Sequence, residues 1–167
     1  YQETRSLLKS RFKGVDPFSN LDSLSLLENQ LQICSTFFVM GWPKDHRTRT
    51  YDIIKTRFKK AFYKTQKNHN LGLHSSPLHT QNFRKLQLEL TRVEKALDTT
   101  VIASRQHYLF WNIRKTPQSQ AKAGIRVDST LGFNNRSGFR CGTSMPFQWY
   151  DLENNTAFNT EGFFAAK

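Results

Sequence analysis

Apolar residues recur at intervals of three and four between residues 22 and 111, which is the spacing of amphipathic helices. We therefore predict three helices, at 22–40, 50–67 and 82–111. The apolar stripe of the first consists of Leu24, Leu27, Leu31, Cys34 and Phe38. The stripe of the second consists of Ile53 or Ile54, Phe58, Ala61, Phe62 and Thr65. The stripe of the third consists of Phe83, Leu86, Leu90, Val93, Leu97 and Ile102.

Local breakers delimit these helices. Gly41 and Pro43 oppose continuation of the first one. Several β-branched residues in "LDTTVIAS" indicate a break or bend of the third helix near 99–101. Cys34, on the apolar stripe, is predicted to be a buried small hydrophobe rather than a reactive thiol.

The last third of the chain has no sustained period, yet it is rich in aromatic residues, which freely disordered tails usually lack. We predict an extended arm whose rings dock on partner proteins, with wrapping around the chain's own helices as the alternative. The predicted organisation is an N-terminal arm at 1–20, a helical domain at 21–112 and this docking arm at 113–167. The docking aromatics are Phe133, Phe139, Phe147, Trp149, Tyr150 and Phe158.

The formal net charge of +12 favours anionic partners: RNA, lipid headgroups or acidic protein surfaces. Much of this charge lies on the exposed face of the predicted second helix, where it could bind such a partner, although a run of this kind is often only a solvated face. The residues of this basic face are Lys55, Arg57, Lys59, Lys60, Lys64 and Lys67.

Catalytic and metal-binding patterns are weak. The five histidines do not show the i, i+4 spacing of a helical zinc pair. The 13 acidic residues are dispersed, and no nucleophile motif or glycine-rich phosphate loop is present. We therefore expect no metal, no cofactor, no small-molecule substrate and no enzymatic activity. No apolar run reaches the roughly 18 residues of a transmembrane helix.

In order and local pattern, the three predicted helices resemble a J domain, the co-chaperone module that works with Hsp70. "FFVMGW" at 37–42 resembles the end of that family's first helix, and "IKTRFKK" at 54–60 its basic second helix, with Phe58 in place of a tyrosine. "RQHY" at 105–108 keeps the closing spacing of the third helix. The resemblance covers about residues 35–110 and implies an all-α fold, a J-domain-like helical hairpin with an extra N-terminal helix.

The sequence departs from that family at its functional motif. The resemblance places the His-Pro-Asp tripeptide, which stimulates ATP hydrolysis by Hsp70, at Gln66, Lys67 and Asn68. A register slip gives His69, Asn70 and Leu71 instead, and neither segment contains the proline or the aspartate. A J-like domain of this kind is expected not to stimulate Hsp70, and an unrelated helical protein with coincident landmarks is the competing interpretation.

These features together predict a non-catalytic accessory subunit of a large mitochondrial assembly. The predicted partners are other protein subunits, with lipid headgroups at a membrane surface. The favoured assembly is the respiratory chain, as part of the NADH dehydrogenase complex or a supercomplex, peripheral on the inner membrane. A start at Tyr1 and a basic composition would fit a removed transit peptide. The alternatives are a mitochondrial ribosomal protein that contacts rRNA through its basic helix, and a degenerate J-like regulator of the protein-import motor.

Overall fold

The computed structural model describes residues 20–42, 53–65 and 67–158, and this part of the chain is an α/β structure. It contains four α-helices, a four-stranded parallel sheet and a two-stranded antiparallel sheet. The prediction of an all-α, J-domain-like hairpin is therefore wrong. The segment that carried the resemblance contains three strands of the parallel sheet.

The described elements alternate strands and helices. The helices are α1 Leu21–Gln30, α2 Thr56–Thr65, α3 Phe83–Leu97 and α4 Thr116–Lys122, with a short 3₁₀ turn at His107–Leu109. The parallel strands are β1 Thr36–Val39, β2 Asn70–Leu73, β3 Ala103–Ser104 and β4 Val127–Asp128. The antiparallel pair is β5 Tyr150–Asp151 and β6 Thr156–Ala157.

The parallel strands stand side by side in chain order, β1-β2-β3-β4, and a segment containing a helix joins each to the next. Thr36 pairs with Asn70 and Val39 with Leu73, while Ala103 pairs with Val127. Crossovers between parallel strands are almost always right-handed, so consecutive crossovers in one direction place their helices on one face of the sheet. This sequential order is the arrangement found in (β/α)₈ barrels.

Short apolar runs account for the incorrect helix bounds. "TFFV", "NLGL" and "VIAS" are too short to form a helical stripe, and runs of this length suit buried parallel strands. The first predicted helix thus ends at Gln30 and a strand replaces its second half. The third ends at Leu97, where Asp98 takes a left-handed conformation (φ 51°), close to the break predicted at 99–101.

The hydrophobic core lies between the parallel sheet and α3. Leu86, Leu90, Val93 and Leu97 of α3 are buried, as predicted, against Leu73 of β2. Phe83 and Ile102, from the two ends of the same predicted stripe, are 38% and 39% exposed. The predicted stripe of α1 is wrong, since its residues Leu24, Leu27 and Leu31 are exposed. Cys34, predicted to be buried, is exposed as well.

Gly41 marks a close approach between the segment after β1 and the backbone of α3. A Cβ at this position would lie 2.6 Å from the Glu89 carbonyl oxygen. Gly41→Ala is therefore expected to lower the free energy of unfolding by about 1–3 kcal/mol, because backbone must move to relieve the overlap. Urea denaturation measures the change. Gly132→Ala is the control, since the nearest atom to its new Cβ would be 4.0 Å away. Equal stability of the two variants would contradict the predicted overlap.

Within residues 20–42, 53–65 and 67–158, none of the helices has the length and apolar character needed to cross a membrane.

Candidate functional site

Polar side chains follow three neighbouring strands of the parallel sheet at the point where each strand ends. His74 comes directly after β2, Gln106 and His107 follow β3, and Asp128 and Thr130 lie at the end of β4. Because the strands are parallel, these ends share one edge of the sheet, the edge where α/β proteins place their ligand sites. We call these five residues the carboxyl-edge site.

Backbone hydrogen bonds continue the sheet into this site and fix its geometry. The amide of His74 donates to the carbonyl of Val39 at 2.8 Å, which extends the pairing of β1 and β2. The amide of His107 donates to the carbonyl of Ser75 at 3.0 Å, so the segments after β2 and β3 stay side by side. The two histidines are thus held on adjacent strand extensions.

The imidazoles of His74 and His107 are hydrogen-bonded to each other, with His74 Nε2 and His107 Nδ1 2.9 Å apart. His74 Nδ1 lies 2.8 Å from the carbonyl oxygen of Arg105, which can only accept, so this nitrogen carries the proton. A neutral imidazole has one N–H, and Nε2 of His74 is therefore an acceptor. His107 must donate from Nδ1, which leaves its Nε2 with a free lone pair when the ring is neutral.

The surroundings of His74 favour this neutral arrangement. Burial, followed by the positive charge that His107 and then Arg105 can carry, lowers the pKa of His74, and the hydrogen bond to the Arg105 carbonyl opposes the shift only in part. At neutral pH His74 therefore stays uncharged and keeps its acceptor nitrogen towards His107. The hydrogen bond between the two rings thereby fixes the orientation and the tautomer of His107.

A buried hydrogen-bond network lies next to the histidine pair, centred on Gln106. Its side chain accepts from the Ser75 hydroxyl and donates to the Ser104 hydroxyl at 3.0 Å. The backbone amide of Gln106 donates to Thr130 Oγ1 at 3.0 Å, and the Thr130 hydroxyl donates to Asp128 at 2.8 Å. Gln106, Ser104 and Thr130 are fully buried. The network joins the ends of β2, β3 and β4 and holds the backbone that leads into His107.

Asp128 terminates this network as a buried carboxyl group, 1% exposed. It accepts from the Thr130 amide at 2.7 Å and from Gln120 Nε2 at 2.6 Å. Burial raises the pKa of Asp128 to about 6, although the hydrogen bonds from Thr130 and Gln120 act in the opposite direction. The hydrogen bonds from these donors therefore stabilise the ionised form of Asp128 near neutral pH.

A buried pair, Glu89 and His79, supports the loop that carries His74. Glu89 of α3 is fully buried, accepts from the Ser76 amide and lies 2.8 Å from His79 Nδ1. The Trp42 indole packs edge-on against His79 with ring centroids 4.2 Å apart. Burial raises the pKa of Glu89 to about 7 and lowers the pKa of His79. The loop after β2 is thereby fixed to α3 by a carboxyl group and to the segment after β1 by an aromatic contact.

An aromatic cleft of about 470 Å³ is lined in part by the residues that directly follow His107, and His107 itself is not in its lining. Its walls include Tyr108, Trp111 and Phe133, with Arg140 hydrogen-bonded to the Leu109 carbonyl. Tyr108 and Leu109 both have positive φ, 56° and 51°, a conformation that non-glycine residues rarely adopt. Backbone of this kind costs about 1–3 kcal/mol per residue and clusters at functional sites. The Tyr108 ring lies against the His107 ring with centroids 4.0 Å apart and the two planes tilted by 40°.

In the described part of the chain, no three His, Cys, Asp or Glu side chains are grouped so that they could hold a metal ion. The two cysteines, Cys34 and Cys141, are exposed and unpaired.

No residue of the predicted basic face belongs to the carboxyl-edge site. Lys55, Lys60, Lys64 and Lys67 are exposed and Lys59 is half-buried. Arg57 belongs to α2, but its side chain is outside the described structure. Lys64 lies 3.8 Å from Asp22 with both side chains largely exposed, a pair that contributes little to stability. Of the predicted tripeptide position, Gln66 lies outside the described residues, and Asn68 donates to Asn29 of α1.

The predicted docking aromatics lie against the chain itself to different degrees. Trp149 is buried and packs on Trp111 at 4.7 Å and on Phe147 at 5.0 Å. Phe133 and Phe158 are half-buried, whereas Phe139 and Tyr150 are exposed. Trp149 thus occupies an intramolecular contact with residues that lie outside the helices, and docking of these aromatics on partner proteins stays a prediction, as does wrapping around the chain's own helices.

Comparisons of the chain with protein-family models, with curated proteins and with solved structures gave no match. The resemblance to a J domain therefore has no support from a family match.

Sequence reasoning misses the carboxyl-edge residues because His74 and His107 have neither helical metal spacing nor acidic residues near them in the sequence, and both of these are local patterns. The available signal was a repeated order, a short apolar run followed at once by polar side chains. It occurs in "LGLHS", "VIASRQH" and "IRVDST". Had these runs been interpreted as parallel strands, their ends would have been expected to share one edge.

Proposed function

We propose that this chain carries a proton-transfer site at the carboxyl edge of its parallel sheet, with His107 as the general base. The reaction class is hydrolysis or group transfer, in which His107 Nε2 takes a proton from water or a substrate hydroxyl group. The oxygen then attacks the electrophile, and the imidazolium returns the proton to the leaving group. His74 is a positioning residue that holds His107 in the required tautomer.

The observation that carries this proposal is a chain of two hydrogen bonds. His107 donates from Nδ1 to His74, and His74 donates from Nδ1 to the Arg105 carbonyl. A base whose second nitrogen is held by an orienting group is the recurring arrangement of catalytic histidines. The cleft lined by Tyr108 and Leu109, the two residues that follow His107, offers space for a substrate, and the positive φ values of these two residues are typical of a functional segment. Enzymes built on parallel sheets place their active sites at the carboxyl ends of the strands, so the location of His107 at this edge supports the proposal by analogy.

The prediction of a non-catalytic mitochondrial subunit stays a prediction, as do its respiratory-chain, ribosomal and import-motor versions. Its main structural argument was a three-helix scaffold, and the parallel sheet removes that argument. The net charge of +12 still favours an anionic partner in any of these settings. A basic charge balance is also compatible with an enzyme, so it does not decide between the two proposals.

Hydrolysis of p-nitrophenyl acetate by the full chain tests the proposed base. The wild-type protein is expected to exceed an equal concentration of free imidazole by about 10²-fold, the usual gain from a positioned general base. His107→Gln should remove this excess, and His74→Gln should reduce it by about tenfold, because the His107 tautomer is no longer fixed.

His69→Gln is the matched control for loss of an imidazole. His69 is buried just before β2, at the opposite edge of the sheet from His107, where its Nδ1 lies 3.3 Å from the Ser35 amide. This variant should keep the wild-type rate even if its melting temperature falls. A wild-type rate no higher than that of free imidazole, or an unchanged rate in His107→Gln, would contradict the proposal.

A further inference from the structure

A groove with an apolar floor runs between α2 and α3, and none of the residues that line it belongs to the carboxyl-edge site. It consists of two adjoining clefts of about 380 and 370 Å³, which share Lys59 and Ala96. Tyr63 of α2 and Leu88 of α3 contribute large apolar groups that are 59% and 64% exposed. Exposed apolar side chains collected in one concave feature are typical of interaction sites.

Basic side chains form the rim of this groove. Lys60, Lys64 and Lys95 are exposed along it, and Asp98 is the one acidic residue in the lining of the two clefts. Positive charge therefore lies on both sides of the apolar floor, from Lys60 and Lys64 on α2 and from Lys95 on α3. This combination selects a ligand that is apolar along one stripe and negative on both sides of it.

We propose that the groove between α2 and α3 binds an acidic amphipathic helix of a partner protein. Helix-in-groove recognition places apolar anchors at i, i+3 or i+4 and i+7 on the groove floor. Flanking Asp and Glu side chains of the partner would then face Lys60, Lys64 and Lys95. An RNA strand would match the lysines but would leave the apolar floor against a polar backbone. A bilayer surface is flat, whereas the apolar floor lies between two helices.

The test is fluorescence polarisation with the full chain and two synthetic 18-residue helical peptides. Both carry leucines at i, i+3, i+4 and i+7, and they differ only in having Glu or Lys at the flanking positions. The Glu peptide is expected to bind at least about tenfold more tightly than the Lys peptide, with affinity that falls as salt is raised. A dsRNA oligomer and anionic vesicles serve as competitors.

Charge-reversal variants of the rim and a polar variant of the floor distinguish binding in the groove from general electrostatic attraction. Lys60→Glu combined with Lys64→Glu, and separately Leu88→Asp, should each weaken binding of the Glu peptide by about tenfold or more. Lys122→Glu on α4 is the control and should change the affinity less than about twofold. No peptide binding up to about 1 mM, equal affinity for both peptides, or an effect of Lys122→Glu as large as that of the combined Lys60→Glu and Lys64→Glu variant would overturn the proposal. Tighter binding of RNA or vesicles that does not depend on Leu88 would also overturn it.

Discussion

Asp128→Ala is expected to lower the free energy of unfolding by about 3–4 kcal/mol. The substitution removes the acceptor of three buried donors: the Thr130 amide, the Thr130 hydroxyl and Gln120 Nε2. Each buried donor left without a partner costs about 1–3 kcal/mol, and the costs overlap because the groups are neighbours. Urea denaturation at pH 7, with the slope of the transition checked for constancy, measures the loss.

The same substitution is expected to act on the histidine pair. Thr130 Oγ1 accepts from the amide of Gln106, the residue directly before His107, so a displaced Thr130 releases the backbone that positions the base.

Asp22→Ala is the control for loss of a carboxylate, and it should cost less than about 0.5 kcal/mol because Asp22 is paired only at the surface. A loss below about 1 kcal/mol in Asp128→Ala would show that the buried network does not hold the strand ends together.

Glu89→Gln is expected to change how stability depends on pH. The pKa of Glu89 rises from 4.5 to about 7 on folding because the carboxyl group is buried. A carboxyl group with a raised folded-state pKa favours folding fully below pH 4.5, and this contribution is lost as pH rises through about 7. A shift of this size corresponds to about 3 kcal/mol. Glutamine keeps an acceptor for the Ser76 amide and does not titrate.

The wild-type protein should therefore lose about 3 kcal/mol relative to Glu89→Gln between pH 4 and pH 8. Asp128 titrates in both proteins and cancels, so the difference between the two unfolding free energies reports Glu89 together with its hydrogen-bonded partner His79. Urea titrations at intervals of half a pH unit measure it. A constant difference across this range, or one that grows in favour of the wild-type protein as pH rises, would contradict the assigned burial of the carboxyl group.

Periodicity predicted the middle of the longest helix well and failed where runs were short. Leu86, Leu90, Val93 and Leu97 repeat over three turns, and their burial follows from that repeat. "TFFV" and "NLGL" contain four residues each, and periodicity alone cannot separate a buried strand of this length from part of a helix. The strand pairing that decides the matter joins residues more than 30 positions apart, such as Phe38 and Gly72.

The site was less predictable than the fold because its chemistry depends on pairings between distant residues. His74 and His107 are 33 positions apart, and no local pattern shows that their rings meet. The buried role of Gln106 depends in the same way on Thr130, which lies 24 positions further along the chain. Such contacts follow only once the order of the parallel strands is known. Interpreting the first half of the chain as a helical hairpin therefore excluded the site.

The tautomers of His74 and His107 test the central claim most directly. Long-range ¹H–¹⁵N correlation spectra of the uniformly labelled protein at pH 8 distinguish a protonated from an unprotonated ring nitrogen, with His74→Gln and His107→Gln used for assignment. We expect both rings to carry the proton on Nδ1, with a through-hydrogen-bond coupling between His107 Nδ1 and His74 Nε2. Protons on Nε2 in both rings, the form that water-exposed histidines prefer, would contradict the proposed base.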